Sequence, residues 1–267
     1  MAQKQSGKSP GPRAPKARAA DVDAVLKSLK SRGSQANIDG MARYAIQSPK
    51  ALGVSLADLR RMAKELGRNH PLALELWETG WHEARMLASF IADPNEITAS
   101  QMDRWVRDFD NWAITDTVCF SLFDRTPHAW SKVDQWSRRR GEFERRAAFA
   151  LLASMALHDK SGPDAEYRKR LPLVKTYASD ERNFVKKGVS WALHGMGCRS
   201  AALNTAAIEV AEDLASSSNR TERWVGKDAL RKLRSAPTAK RVARRDSATT
   251  AKAVKRRPKR RAAKSQL

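Results

Sequence analysis

The spacing of apolar residues is the feature that most limits the folds open to this chain of 267 residues. From Asp21 to about Arg234, apolar residues recur at three and four positions, and no stretch sustains an alternation of two. The first spacing places apolar side chains on one face of an α-helix, whereas the second is typical of a β-strand. The sequence therefore predicts an all-α protein. A first helix is expected to begin after Asp21 and to end at Gly33.

Four helical segments share a theme that returns along the chain. Each begins with a basic residue, continues with small residues and then presents an apolar face; the basic residues are Arg85, Arg146, Lys187 and Lys227. The last three follow one another at intervals of 41 and 40 residues, and the 61 residues from Arg85 to Arg146 leave room for one further unit. A period of about 40 residues built from paired helices is typical of HEAT repeats. We therefore expect a HEAT-like α-solenoid of paired antiparallel helices.

Equivalent helices of a solenoid line one surface, so the repeated basic residues should share it. We expect Arg85, Arg146, Lys186, Lys187 and Lys227 along a concave basic groove, which suits the backbone of a polyanion. The alternative is that these residues are ordinary solvated positions at helix starts. Cations are disfavoured at the positive end of the helix dipole, which favours the groove.

Positive charge is concentrated at the two ends of the chain. The formal net charge is +22, with five basic residues and no acid in residues 1–20, and twelve basic residues against one acid in residues 235–267. Both ends lack an apolar period, so we expect disordered tails around a helical domain over residues 21–234. The C-terminal tail would bind polyanions without reading sequence. It could instead serve as a solubilising tail or, in a eukaryote, as a nuclear localisation signal.

Other features exclude several classes of protein. No apolar run approaches the roughly 20 residues that span a bilayer, so we expect a soluble, intracellular protein with no membrane contact. We expect a monomer because polar helices would cap the two ends of the solenoid. The expected location is the cytoplasm, with the nucleoid if the source is bacterial, or the nucleus if it is eukaryotic. Cys119 and Cys198 lie in apolar surroundings and predict buried free thiols. The five histidines are scattered, so neither a metal site nor a cofactor is expected.

One acid within an apolar segment is a candidate for chemistry. Asp116 follows Trp112 by four residues in "NWAITD", which places the two on one helical face, and Trp191 follows Lys187 by the same interval. Indoles beside cations and a carboxylate suit a sugar-phosphate backbone. On spacing alone the simpler interpretation is that Asp116 caps a neighbouring helix or pairs with an arginine.

The order and wording of five segments add to this interpretation. They are "MARYAIQSPKALGVSLADLRRMAKEL" (41–66), "LWETGWHEARMLASFIAD" (76–93), "DNWAITDTVC" (110–119), "FERRAAFALLASMALHD" (143–159) and "DERNFVKKGVSWALHGMG" (180–197). In this order the segments resemble the DNA alkylation repair family, the HEAT-like-repeat alkylpurine DNA glycosylases of AlkD type. The resemblance covers residues from about 21 to 234.

The resemblance implies an activity and a set of site residues. Members of the family are thought to hydrolyse the N-glycosidic bond of cationic N3- or N7-alkylated purines in duplex DNA without base flipping, as monofunctional enzymes. The catalytic indoles and carboxylate of the family match Trp112, Asp116 and Trp191. Expected DNA contacts are Tyr44, Arg146, Lys186, Lys187, Arg85 and His194. No metal or cofactor is implied.

Two departures from the family pattern leave other functions open. The segment "WALH" places His194 where relatives carry an arginine, so a phosphate contact there would depend on protonation of the imidazole. The segment "NWAITD" is also less polar than in many relatives, and some branches of the family are inactive on simple methylpurines. One alternative is a non-catalytic HEAT-repeat protein that binds distorted or branched DNA by shape. Another is a scaffold for an acidic protein partner.

Overall fold

The computed structural model describes residues 21–160 and 162–256, and every regular element within them is helical. The helices are α1 (Val22–Arg32), α2 (Gln35–Arg43), α3 (Leu56–Leu66), α4 (His70–Glu78), α5 (His82–Ile91), α6 (Ala99–Arg107), α7 (Trp112–Ser121), α8 (Ala129–Trp136), α9 (Glu142–His158), α10 (Asp164–Arg168), α11 (Leu171–Tyr177), α12 (Asn183–Gly197), α13 (Ala201–Ser216), α14 (Arg220–Leu233) and α15 (Ala236–Arg256). A short 3-10 helix, Phe123–Arg125, follows α7. The all-α prediction is confirmed.

Local signals in the sequence set the helix ends. The side chain of Asp21 accepts a hydrogen bond from the backbone N–H of Asp23, and Ser55 does the same for Asp58 at the start of α3. Such caps satisfy N–H groups that have no partner inside the helix. At the end of α3, Gly67 adopts φ 64°, a conformation that favours glycine. These ends follow from residue types within one turn.

The helices form two layers, as a solenoid requires. One row consists of α3, α5, α7, α9, α12 and α14, each packed against the next. Helices α4, α8, α11 and α13 pack against α5, α9, α12 and α14. The expected basic positions Arg85, Arg146, Lys187 and Lys227 lie on α5, α9, α12 and α14 of the first row, and α7 lies between α5 and α9. The prediction of one further unit between Arg85 and Arg146 is therefore confirmed.

Aromatic side chains fill the space between the layers near α4 and α6. The rings of Trp77 and Trp105 stack with centroids 3.9 Å apart, and Phe123 packs against both Trp105 and Trp136. Each of the three indoles is almost fully buried. Buried aromatic pairs of this kind stabilise a core beyond their contact area. The expectation of two buried free cysteines, Cys119 and Cys198, is also confirmed.

The C-terminal region differs from the expectation of a disordered tail over residues 235–267. Residues 236–256 form α15, which packs against α13 and α14. Thr238 and Val242, one turn apart, are buried, and the Arg245 guanidinium donates to the carbonyl oxygens of Ala156 and Leu157 at 3.0 and 2.7 Å. An arginine suits the unpaired carbonyls at the end of a helix, here α9. Two buried residues, Thr238 and Val242, are too few to produce an apolar period in the sequence, so the spacing gave no sign of α15. The predicted N-terminal tail, residues 1–20, and the last part of the predicted C-terminal tail, residues 257–267, lie outside the described residues.

Gly226 is where α14 comes closest to α13, and it gives a prediction about stability. A Cβ at Gly226 would lie 2.3 Å from the backbone nitrogen of Ala215, whereas a Cβ at Gly40 in α2 would meet nothing within 4 Å. Gly226→Ala should therefore lower the free energy of unfolding by about 1–3 kcal/mol, because two helix backbones must separate. Gly40→Ala should raise it by about 0.5–1 kcal/mol. Urea unfolding of both variants checks this, and equal midpoints would contradict the close packing.

Candidate functional site

Asp116 is held by an arginine from the neighbouring helix. The Arg146 Nε donates to Asp116 Oδ1 at 2.9 Å and its Nη2 donates to Oδ2 at 2.7 Å, while Nη1 donates to the carbonyl of Phe184 at 2.6 Å. The side chain of Arg146 is 7% exposed and that of Asp116 is 20% exposed. Asp116 therefore pairs with an arginine, which is one of the two kinds of partner that its spacing suggested. Arg146 was expected to hold a phosphate, but the structure commits its guanidinium to Asp116 and the start of α12.

The electrostatic state of this pair depends on two opposing effects. Burial raises the pKa of the Asp116 carboxyl, and the charge and hydrogen bonds of Arg146 oppose that rise. Cys119, one turn further along α7, is fully buried, and burial together with the charges of Asp116 and Asp124 raises the pKa of its thiol well above its ordinary value. The thiol is therefore neutral and unsuited to nucleophilic attack. Asp116 is the ionisable group on α7 that keeps some contact with solvent.

Trp112 begins α7, and its position is set by the helix cap before it and by a hydrogen bond from its ring. The buried Asn111 caps the helix by accepting from the backbone N–H groups of Ala113 and Ile114, at 2.9 and 3.1 Å. The Trp112 Nε1 donates to the carbonyl oxygen of Tyr44 at 2.9 Å. The structure thus brings together two predicted site residues that lie 68 positions apart in sequence. Tyr44 is 74% exposed, so its ring is free to contact a ligand.

The segment that carries Tyr44 is anchored by a residue that sequence reasoning missed. Glu83, buried at the start of α5, accepts from the backbone N–H groups of Leu52 and Gly53 at 2.8 and 2.7 Å. Its neighbour His82 is 3.5 Å from the Asn111 side chain, and burial lowers the pKa of that imidazole. Two consecutive residues of α5 therefore lie between the Tyr44 segment and the start of α7. The signal available in the sequence was an acid, Glu83, within the apolar pattern of a predicted helix.

Beside Tyr44 the chain leaves an open cavity of about 430 Å³. Its lining is mainly apolar, with Ile38, Met41, Ile46 and Pro49, and Asp110 contributes to its wall just before α7. The cavity lies next to the Tyr44 and Trp112 contact because both flanks of Tyr44 and the residue before Asn111 line it. The exposed ring and this cavity together form the N-terminal edge of the site.

Helix α12 presents three different faces to its surroundings. Gly188 faces α9, since a Cβ there would lie 3.5 Å from Arg146 Cγ, and Ser190 faces α14 through a 2.6 Å hydrogen bond to Asp228. Lys187 and Trp191 lie between these faces and are exposed and half-buried, respectively. The structure therefore places Trp191 one turn after the residue that packs on Arg146. Trp191 on α12 and Asp116 on α7 lie on either side of α9, which packs against both helices.

His194 and Arg85 have partners within the protein. The His194 Nε2 lies 3.0 Å from Thr238 Oγ1 of α15 and 3.3 Å from Cys198 Sγ. Burial and the charges of Lys232 and Arg241 lower the pKa of His194, so the protonated form that a phosphate contact would need is disfavoured. Arg85 donates to the carbonyl oxygens of Trp77 and Asp108, both at 3.3 Å, and pairs with the Asp108 carboxylate. Neither side chain offers the free cation that the sequence suggested.

Asp180, just before α12, gives a prediction about pH. Burial opposes its ionisation, but hydrogen bonds from Arg182 and Arg145 prevail and lower its pKa to about 2. A lowered pKa in the folded state contributes stability above the unfolded value of ~4. That contribution should be lost as the pH falls from ~4 to about 2. Unfolding midpoints measured across this range should depend less on pH in Asp180→Asn; an unchanged slope would contradict the assignment.

Among residues 21–160 and 162–256, no three histidine, cysteine, aspartate or glutamate side chains gather as a metal site would require. Within the same residues, no helix combines the length and apolar character needed to cross a bilayer.

These observations define the protein as an all-α, HEAT-like solenoid with an indole and a paired carboxylate on one row of helices. Residues 25–233 match the family model described as DNA alkylation repair enzyme, and the chain belongs to that family. Its fold resembles a solved structure described as a new family of proteins related to the HEAT-like repeat DNA glycosylases, with affinity for branched DNA structures. The TM-score is 0.66 at 20% identity, over 79% of this chain and 95% of the other. No curated protein matched the chain.

Proposed function

We propose that this protein is a monofunctional DNA glycosylase that hydrolyses the N-glycosidic bond of cationic N3- or N7-alkylated purines in duplex DNA. The observation that carries the proposal is the pair of Trp112 and Asp116 on one side of α7, with the carboxylate oriented by Arg146. Membership of the DNA alkylation repair family supports the same substrate class. A single copy of the chain would bind the DNA, and no metal or cofactor takes part.

The chemistry needs little from the protein at the base. An alkylated purine that already carries positive charge leaves readily, so no strong general acid is required. The deoxyribose becomes oxocarbenium-like, and a fixed carboxylate near C1′ stabilises that cation and orients the attacking water. Ordinary glycoside hydrolases use two carboxylates because their leaving groups must be protonated. Here Asp116 suffices.

The residues around Asp116 divide the remaining roles. Arg146 is a positioning residue, because its two hydrogen bonds hold both carboxylate oxygens in one orientation before substrate binds. The indoles of Trp112 and Trp191 would line the sugar, where electron-rich ring faces favour a cation. Tyr44 would contact the DNA beside the lesion. Lys186 and Lys187 at the start of α12 would bind phosphates, and the damaged base would remain in the stack without flipping.

The test is direct measurement of released base. Duplex DNA carrying N7-methylguanine or N3-methyladenine is incubated with excess full-length protein, and free base is separated and quantified against a protein-free control. Release that is faster than the spontaneous rate supports the proposal. If neither substrate releases base faster than the control, the proposal fails for methyl adducts.

A second function is favoured by two specific observations. The structurally similar protein belongs to a group described as having affinity for branched DNA structures. In addition, the Arg146 pair gives Asp116 a role in packing that a protein without catalytic activity would also need. The alternative is therefore a DNA-binding protein that recognises branched DNA by shape. Tighter binding to a three-way junction than to linear duplex, without base release, would favour it. A scaffold for an acidic protein predicts no preference for DNA at all.

A further inference from the structure

Trp224 on α14 is an indole that the predicted site does not include. It is 37% exposed, although tryptophan side chains are usually well buried. Arg220, Trp224, Lys227 and Arg231 are spaced by four, three and four residues, so they form one exposed stripe along α14. An apolar ring in the middle of a solvated basic stripe contributes little to the core.

The indole lies at the contact between α12 and α14. The Nζ of Lys186 is 5.1 Å from the centroid of the Trp224 ring. One turn further along both helices, the Ser190 hydroxyl donates to Asp228 Oδ2 at 2.6 Å, which fixes these faces against each other. Lys186 and Trp191 both lie on α12, whereas Trp224 lies on α14, the next helix of the row.

The charges around the ring favour an anionic ligand. Asp228, the acid of α14 that faces α12, accepts hydrogen bonds from Ser190, Arg231 and Lys232. Glu222 accepts from the Ser217 hydroxyl. The acids beside the stripe are thus engaged within the protein, while Lys227 and Arg220 are exposed. An exposed aromatic face flanked by cations is the arrangement that binds single-stranded nucleic acid.

We propose that Trp224, Lys186 and Lys227 form a binding site for an unpaired nucleotide of DNA. The base stacks on the indole, and the lysines contact the flanking phosphates. Lys186 covers the ring in the free protein, but a contact between a half-buried lysine and an indole is weaker than the stacking of a base. The flexible lysine side chain then moves from the ring to a phosphate. The site shares Lys186 with the phosphate contacts proposed for base release, whereas Trp224 and Lys227 lie on α14, one repeat beyond Trp191.

The test compares three DNAs of the same sequence: a linear duplex, the duplex with an unpaired nucleotide, and the single strand. Trp224→Ala should weaken binding to the two DNAs with unpaired bases by about tenfold or more and leave the linear duplex nearly unchanged. Trp224→Phe should retain most of the affinity. Lys227→Ala should weaken all three and lower the dependence of binding on salt.

A matched control separates this site from general effects of losing an indole. Trp130 on α8 also lies beneath a cation, with Arg170 4.4 Å from its ring, but it belongs to the other layer. Trp130→Ala should not change the preference among the three DNAs, and thermal unfolding of each variant reports whether it is folded. Equal losses on all three DNAs, or none, for Trp224→Ala would overturn the proposal. The proposal would also be overturned if binding of an acidic peptide depended on Trp224 while binding of DNA did not.

Failure here is distinguishable from failure of the glycosylase proposal. Base release from linear alkylated duplex at saturating protein should be the same for Trp224→Ala and for the wild type, because the substitution leaves Asp116 and Trp112 untouched. If the wild-type protein releases no base, the comparison of the three DNAs still tests the binding site at Trp224.

Discussion

Asp116→Asn should slow release of an alkylated base about 10²–10³-fold when all the DNA is bound, because the carboxylate charge that stabilises the oxocarbenium-like sugar is lost. Asparagine keeps the size of the side chain and one oxygen that can accept from Arg146. The measurement is a single-turnover rate with excess protein, so that weaker DNA binding does not contribute. Because burial raises the pKa of Asp116, the wild-type rate should also fall on the acid side at a pH above that of an exposed aspartate.

A matched aspartate controls for damage to the fold. Asp103 on α6 accepts hydrogen bonds from Lys132, Trp136 and Arg139, so it too is a partly buried acid in a network between helices. Asp103→Asn should lower the unfolding midpoint and leave the single-turnover rate close to that of the wild type. If Asp103→Asn slowed release as much as Asp116→Asn, the effect would be structural, and the proposed role of Asp116 would be wrong.

Arg146→Ala should be the most destabilising single change in the site. It removes both hydrogen bonds to Asp116 and the bond to Phe184, and it leaves a mostly buried carboxylate unpaired. Breaking a buried pair in this way costs about 3–5 kcal/mol, and the solvent contact of Asp116 favours the lower end of that range. Urea unfolding monitored by circular dichroism gives the free energy.

The neighbouring arginine is the control for this stability prediction. Arg145 pairs with Asp180, but Asp180 also accepts from Arg182, so Arg145→Ala leaves that carboxylate with a partner. The loss of stability should be smaller than for Arg146→Ala. The double variant Asp116→Asn with Arg146→Ala should lose less than the sum of the two single changes, because the two residues act as one pair. Additive losses would show that they do not.

Much of the architecture could be predicted because helix signals are local. Apolar spacing and the caps at Asp21 and Ser55 depend on residues close together in the chain. The same locality explains the prediction that failed at the C-terminus. Helix α15 is held by a few contacts, among them Thr238 with His194 and Arg245 with the end of α9. None of these partners is near α15 in sequence.

The candidate site also combines features that the sequence predicted with contacts that only the tertiary structure shows. The sequence alone determined that Trp112 and Asp116 share a face of one helix and that Trp191 follows two lysines, since four-residue spacing is a property of every α-helix. Only the tertiary structure decided which groups meet them. Arg146 bonds to Asp116, and the carbonyl oxygen of Tyr44 accepts a hydrogen bond from the Trp112 indole, because residues 30 and 68 positions apart in sequence come together in the fold. Partner choice between helices depends on how their faces pack, and the spacing of residues within each helix carries no information about it.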